Sequence, residues 1–316
     1  MFICKKEIAV CILTYNRKEL LKKTIASVLN SSSKDYEIFV FNDNSTDGTN
    51  EYLESMEKQG LLKEYRQNRN MEVNKNANSI IENINAKYCL MLNDDDILDT
   101  NYLKETSRVA DLDNSISIVG TAWNKIDENG KIIDSIIYKY FKQPTILSDE
   151  DFFLHNLSGL NFPWGGTLIR MDKIGNIRFD DEYYGIGADS IFLCNLVLGN
   201  KVGYIPTPLF NYRIHKSQKT QEEDISDILE SLEKWKKIWE FYEYLILNYF
   251  DNKKKLFLKK HNIAVNKTII YLLQESKDLK SFFKILFSKN FSFSLINISQ
   301  LKIIIIKFMK LLLRRN

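Results

Sequence analysis

The sequence predicts an α/β fold: a largely parallel sheet with helices on both faces, a mixed second half and a helical C-terminal region. Three observations predict it. Short apolar runs alternate with helix-period runs across the first hundred residues. Two apolar runs empty straight into clustered acids, "YEIFVF" into "NDNSTDG" and "KYCLML" into "NDDD". Gly203 is the last glycine and Pro208 the last proline, so the Leu-, Ile-, Lys- and Glu-rich remainder reads as helices.

The elements follow in order. "EIAVCIL" (7–13) is a first strand. Leu20, Leu21, Thr24, Ile25, Val28 and Leu29 recur at helical spacing after it, with Asn16 as the expected N-cap. "YEIFVF" (36–41) is the next strand, a helix starts near Thr49, and a short strand spans 61–65. Ile80, Ile81 and Ile84 mark another helix before the strand at 87–92. From Ser115, "SISIVGTAW", the turn "DENG" and "KIIDSIIY" predict an antiparallel hairpin. Strands at 165–170 and 201–206 flank a helix over 189–198, and 221–316 is mostly helical.

Bulk properties narrow the class. The chain has 316 residues, 44% hydrophobic, enough for one large or two modest domains. Net charge is +3 from 44 basic and 41 acidic residues, which excludes a wholesale nucleic-acid binder. Cys4, Cys11, Cys89 and Cys194 form no C-x-x-C pair and read as thiols of a reducing compartment. Lys5, Lys6 and Glu7 precede an apolar run too short for a signal peptide. No window holds the roughly 18 uncharged apolar residues of a spanning helix. The expected location is cytoplasmic.

Both acid clusters lie at strand ends, where open parallel sheets bind ligands. Asp94, Asp95 and Asp96 cannot all ionise at close range without a counter-charge. A divalent cation such as Mg²⁺ or Mn²⁺ would supply it, completed by phosphate and water. Capping of a helix near Thr100 is the competing reading. "NDNSTDGT" forms Asx turns on the plain reading, and on the functional one sets Asp43 against a base or ribose. His155 reads as an ordinary helix residue, and Trp164 as a sugar platform or a core residue.

In order and spacing, "LTYNR", "NDNSTDGT" and "NDDD" resemble the glycosyltransferase family 2 pattern on the GT-A fold, in which strands run into P-T-Y-N-R, D-D-G-S-T-D-G-T and D-x-D. "GGTLIRMDKIGNIRFDDEY" and "GIGADSIFLCNLVLGNKVGYIPTPLFNYRIH" extend the resemblance over about residues 7–216. It implies that Thr14, Asn16, Asp43, Lys75 and Asp94 bind a nucleotide-sugar, usually a UDP-sugar. It further implies that Asp95, Asp96 and His215 hold Mn²⁺ or Mg²⁺, and that Asp189 is the general base of an inverting transfer. Departures are Leu13 for Pro, Asn42 for an acid, Asn44 for Gly, Asn93 for the first Asp of D-x-D, and Ala188 for the Glu before the base. No Q-x-x-R-W motif is present, so a single transfer per encounter is expected.

The expected domains are a GT-A catalytic region, 1–216, and a mostly helical region, 217–316. In "LKIIIIKFMKLLLRR" (301–315), Lys302, Lys307, Lys310 and Arg314 share one arc of a helical wheel. Such a basic amphipathic helix suits the inner-membrane surface and a polyprenyl-diphosphate-linked glycan acceptor; the alternative is a helix packed on the body. A catalytically inactive sugar-nucleotide- or glycan-binding subunit is the competing function.

Overall fold

The computed structural model describes residues 2–71, 73–180, 187–215, 228–250, 253–275, 279–287, 304, 307, 308 and 310. Contacts divide the chain into two compact units. The first holds residues 1–152, 160–180 and 188–215; the second holds 153–159, 181–187 and 216–316.

The first unit is built on one sheet. Four parallel strands form its heart: β2 (Ile8–Thr14), β3 (Tyr36–Asn42), β4 (Lys63–Arg66) and β6 (Tyr88–Asn93). All seven residues of β2 are buried, because helices cover both faces of a parallel sheet. Ile8, Val10 and Ile12 join the core with Leu21, Ile25 and Val28 of α1 (Lys18–Leu29) and Leu53 of α2 (Thr49–Lys58). Each such side chain contributes roughly 1.5–3 kcal/mol by leaving water. α3 (Val73–Asn83) follows β4, and β5 (Ile84–Asn85) pairs with β1 (Phe2–Ile3) in a separate small sheet. Ile84, read as helical, therefore begins a strand.

The sheet turns mixed beyond β6. β11 (Thr167–Arg170) runs antiparallel between β6 and β8 (Ile116–Ile126), and β12 (Lys201–Arg213) lies parallel to β8. β10 (Thr145–Leu147) closes one edge, and β7 (Ile97–Leu98) pairs with β12. The predicted hairpin is present as β8 and β9 (Ile132–Ile136), with Gly130 at a φ of 88° in the turn. α4 (Tyr102–Ala110) packs on β8, and α5 (Asp149–Asn156) leads toward β11. α6 (Ala188–Val197) precedes β12.

Two local readings change. β12 continues to Arg213 instead of ending at Pro206, because Pro208 falls at a break in the ladder where no N–H donor is missed. α4 begins at Tyr102 with Asn101 before it, so Asp94–Asp96 do not cap it. Three of the four cysteines, Cys11, Cys89 and Cys194, are buried free thiols.

The second unit is helical: α7 (Ile228–Tyr249), α8 (Lys254–Glu275) and α9 (Leu279–Leu286). Its core gathers Trp239, Ile269, Leu273, Phe282 and Ile285. Most of 301–315 lies outside the described residues. Within it, Ile304 joins this core and Phe308 packs on Phe282 and Phe283, so both face protein. Among the described residues no helix is long and apolar enough to cross a membrane.

Candidate active site

Parallel register brings the polar strand tails to one edge. Thr14 pairs with Asn42, and Leu13 with Asn93, so β2, β3 and β6 end side by side. The residues that follow each strand, Tyr15–Arg17, Asp43–Thr46 and Asp94–Asp96, share that edge. Crowded carboxylates there need cations and N–H groups around them.

The β2 loop is tied to both neighbours. Asn16 and Asn44 adopt left-handed backbone at φ 51° and 63°, a region Asn tolerates better than most residues. The Asn16 N–H donates to Ser45 Oγ, and its side-chain oxygen accepts the Thr46 N–H at 2.7 Å. Asn16 is therefore a loop clamp and not the N-cap of α1, a position held by Arg17. Asn42 also braces this loop, accepting the Ser45 N–H and donating to Asn50 and Glu64. An acid at position 42 would lack those donors.

Asp43 is buried, and its carboxylate accepts the Met71 N–H at 2.7 Å. Lys75 is exposed in the first turn of α3. Its neighbour Asn76 donates to the Phe41 carbonyl and so fixes this helix start against the end of β3.

The three aspartates take different partners. Asp94 accepts the Thr14 hydroxyl at 2.8 Å and Arg17 at 3.3 Å. Burial and the Asp95 charge push its carboxyl up to about 7, against the pull of Arg17 and Thr14. Asp95 is also buried: its Oδ2 lies 3.1 Å from Arg17 and 3.0 Å from His215 Nε2. Asp96 is fully buried and accepts the Arg213 N–H at 3.0 Å and the Asn93 amide at 3.2 Å. Burial, then the Asp95 charge, raises its carboxyl well above the usual range. Asp96 thus points inward and braces the loop. The Thr24 hydroxyl lies 2.9 and 2.8 Å from the carbonyls of Asp94 and Asp96.

Arg213 fastens the end of β12 to this loop. Fully buried, it donates to the carbonyls of Asp95, Asp127 and Glu128. His215, two residues on, is thereby carried to Asp95 across 120 positions of sequence.

Asp189 lies in the first turn of α6, where its carboxylate accepts the Ser190 N–H at 2.6 Å and burial raises its carboxyl. Aromatic contacts tie this turn toward the acid loop. Phe192, one turn on, stacks on Phe179 at 4.1 Å, and Phe179 meets the Trp164 edge. Beside Trp164, a Cβ on Gly165 would lie 2.9 Å from the Asn93 amide. Asn78 of α3 grips the Phe179 backbone through its N–H and its carbonyl. Trp164 is thus half-buried in this aromatic chain.

Arg17, Arg213 and Asn78 escaped the sequence reading as functional residues. Arg17 and Arg213 stand within "TYNR" and "YRIH", where an Arg beside acids was the available signal. Asn78 carried none.

Asp95 and His215 offer one oxygen and one nitrogen, which suits an ion whose other ligands are diphosphate and water. Among the described residues no group of three such donors converges.

The mixed sheet, with its parallel strands ending in acids, one of them against a histidine, has the GT-A fold. The glycosyl transferase family 2 model matches residues 9–176, more than half the chain, and the protein belongs to that family. A Campylobacter jejuni protein named GalNAc(5)-diNAcBac-PP-undecaprenol β-1,3-glucosyltransferase is 28% identical over 181 residues, 57% of this chain and 56% of that protein. The chain thus spans little more than half of that relative's length. The fold matches Staphylococcus aureus TarS residues 1–349 with a TM-score of 0.66 at 15% identity, covering 96% of this chain and 89% of that one. Its complex with UDP-GlcNAc matches with a TM-score of 0.63 at 16% identity, covering 95% and 79%.

Proposed function

We propose that this chain is an inverting glycosyltransferase that moves one sugar from a nucleoside diphosphate donor of the UDP class to a hydroxyl of a lipid-linked glycan. The observation that carries the reading is the convergence of Asp95, His215 and Arg17 at the strand ends, beside the loop that starts at Asp43. Family membership, the undecaprenol-linked substrate in the name of the Campylobacter relative and the UDP-GlcNAc bound by TarS support the same class.

The residues divide the work. Asp43 accepts from the base or ribose while the loop of Thr14 and Asn16 lines the nucleotide. Asp94 sets the floor of this cleft through Thr14, and Lys75 approaches the diphosphate. Asp95 and His215 hold Mn²⁺ or Mg²⁺, which when bound offsets charge on the departing diphosphate. Asp189 takes the proton from the acceptor hydroxyl as that oxygen attacks the anomeric carbon. Its burial raises proton affinity toward the working pH, which suits a base. One displacement from the opposite face inverts the configuration.

Residues 1–216 carry the transfer in this reading, and 217–316 the approach to the acceptor. The basic residues of 301–315 favour a peripheral position on an anionic inner leaflet. Sedimentation with anionic against neutral vesicles tests that part, and equal binding would refute it.

A donor screen across UDP-, GDP- and dTDP-sugars with Mn²⁺, read by release of nucleotide and anomeric configuration of product, tests the whole. Asn93 and Ala188, which replace acids of the family pattern, favour a non-catalytic nucleotide-binding subunit. Calorimetric UDP binding without turnover on any donor would select that second reading.

A further inference from the structure

Arg17 occupies the atom that a cation would need. One guanidinium nitrogen, Nη1, lies 3.1 Å from Asp95 Oδ2, the same oxygen that lies 3.0 Å from His215 Nε2. It also reaches Asp94 Oδ1 at 3.3 Å. The two acids have side-chain exposures of 5% and 7%, whereas Arg17 has 28% and forms the solvent side of the cluster. An ion bound to Asp95 Oδ2 cannot share it with a guanidinium in this place, because both are cations at contact distance. Asp94 and Asp95 therefore share one counter-charge without a metal, from a side chain that is always charged.

We infer that Arg17 is a built-in counter-cation: it holds Asp95 while no donor is present, yields that oxygen when a metal–nucleotide complex arrives, and pivots on Asp94 to bind the donor's diphosphate. Asp94 is the natural anchor, since it is buried, fixed by Thr14, and keeps its own contact with Arg17. The guanidinium fork matches phosphate oxygens as well as carboxylates. The exchange makes metal and nucleotide mutually dependent: either alone must compete with Arg17 or forgo it. The inference rests on the proposed diphosphate-binding role of this site.

The test uses the full chain with Mn²⁺ and UDP as probes. Free Mn²⁺ is followed by electron paramagnetic resonance, UDP by calorimetry at saturating Mn²⁺. In Arg17→Gln, Mn²⁺ without nucleotide binds about tenfold tighter, as expected on removing one competing charge-assisted hydrogen bond. UDP at saturating Mn²⁺ binds about tenfold weaker. Arg17→Lys keeps a charge but not the fork, and shifts both affinities the same way by less. It stands in should the Gln variant lose its near-ultraviolet dichroism. Unchanged or weaker Mn²⁺ binding in these variants overturns the inference, and so does unchanged UDP affinity. A wild-type chain that shows this competition but transfers no sugar supports the role of Arg17 while overturning the transfer reading. A chain that binds neither probe overturns both.

Discussion

His215 Nε2 and Asp95 Oδ2 lie 3.0 Å apart although 120 residues separate them, and Arg213 is what brings them together. Its guanidinium ties the end of β12 to the carbonyl of Asp95 and to the β8–β9 turn.

His215→Ala removes a candidate cation donor and a partner of Asp95. Mn²⁺-dependent UDP affinity should fall about 10- to 100-fold, the range found when a metal site loses a supporting group. Calorimetry with and without Mn²⁺ checks it. Equal UDP affinity in the mutant would remove His215 from the site.

Arg213→Met leaves the buried Asp95 carbonyl and the part-buried carbonyls of Asp127 and Glu128 without their donor. The expected loss is about 3 kcal/mol of unfolding free energy, the cost of stranding buried polar groups. Urea titration measures it. A loss under about 0.5 kcal/mol, ordinary for a surface site, would refute the bracing role.

Asp189→Asn separates a cap from a base. Asn can still accept the Ser190 N–H, so α6 and UDP affinity should be kept. The turnover number should fall about 10²- to 10⁴-fold if Asp189 moves the acceptor proton. Unchanged turnover would leave Asp189 as a cap alone.

His261, buried in α8 with its ring on Tyr242, gives a pH signature. Burial pushes its pKa down to about 4. The unfolded imidazole titrates near 6.5, so between about pH 6.5 and 4 the unfolded chain binds a proton that the folded one refuses. Stability from this group is thus full above about pH 6.5 and declines by about 3 kcal/mol toward pH 4. His261→Phe keeps a ring at the site and should flatten that part of the profile. A wild-type and mutant difference that does not change between pH 7 and 4.5 would contradict it.

Gly166→Ala places a Cβ 2.5 Å from the ring of Phe210. The overlap should cost about 1–3 kcal/mol in thermal or urea unfolding, as overpacking does. A neutral result would mean that the turn before β11 yields freely.

By itself the sequence determined the alternation of strands and helices, the hairpin and the acid-ended strands. Each depends on short-range periodicity, which a run such as "YCLML" displays unaided. It also determined which strand ends were candidates, because parallel sheets bind ligands there. Tertiary structure decided which aspartate does what. Asp94, Asp95 and Asp96 are neighbours of one residue type, yet one faces Thr14, one faces His215 and Arg17, and one faces Arg213. Strand register and the long run of β12 past Pro208 set those directions, and both are fixed by pairing with residues far away in the chain. The counter-charge was decided in the same way: clustered acids announce the need for a cation, and only packing shows that Arg17 already stands there.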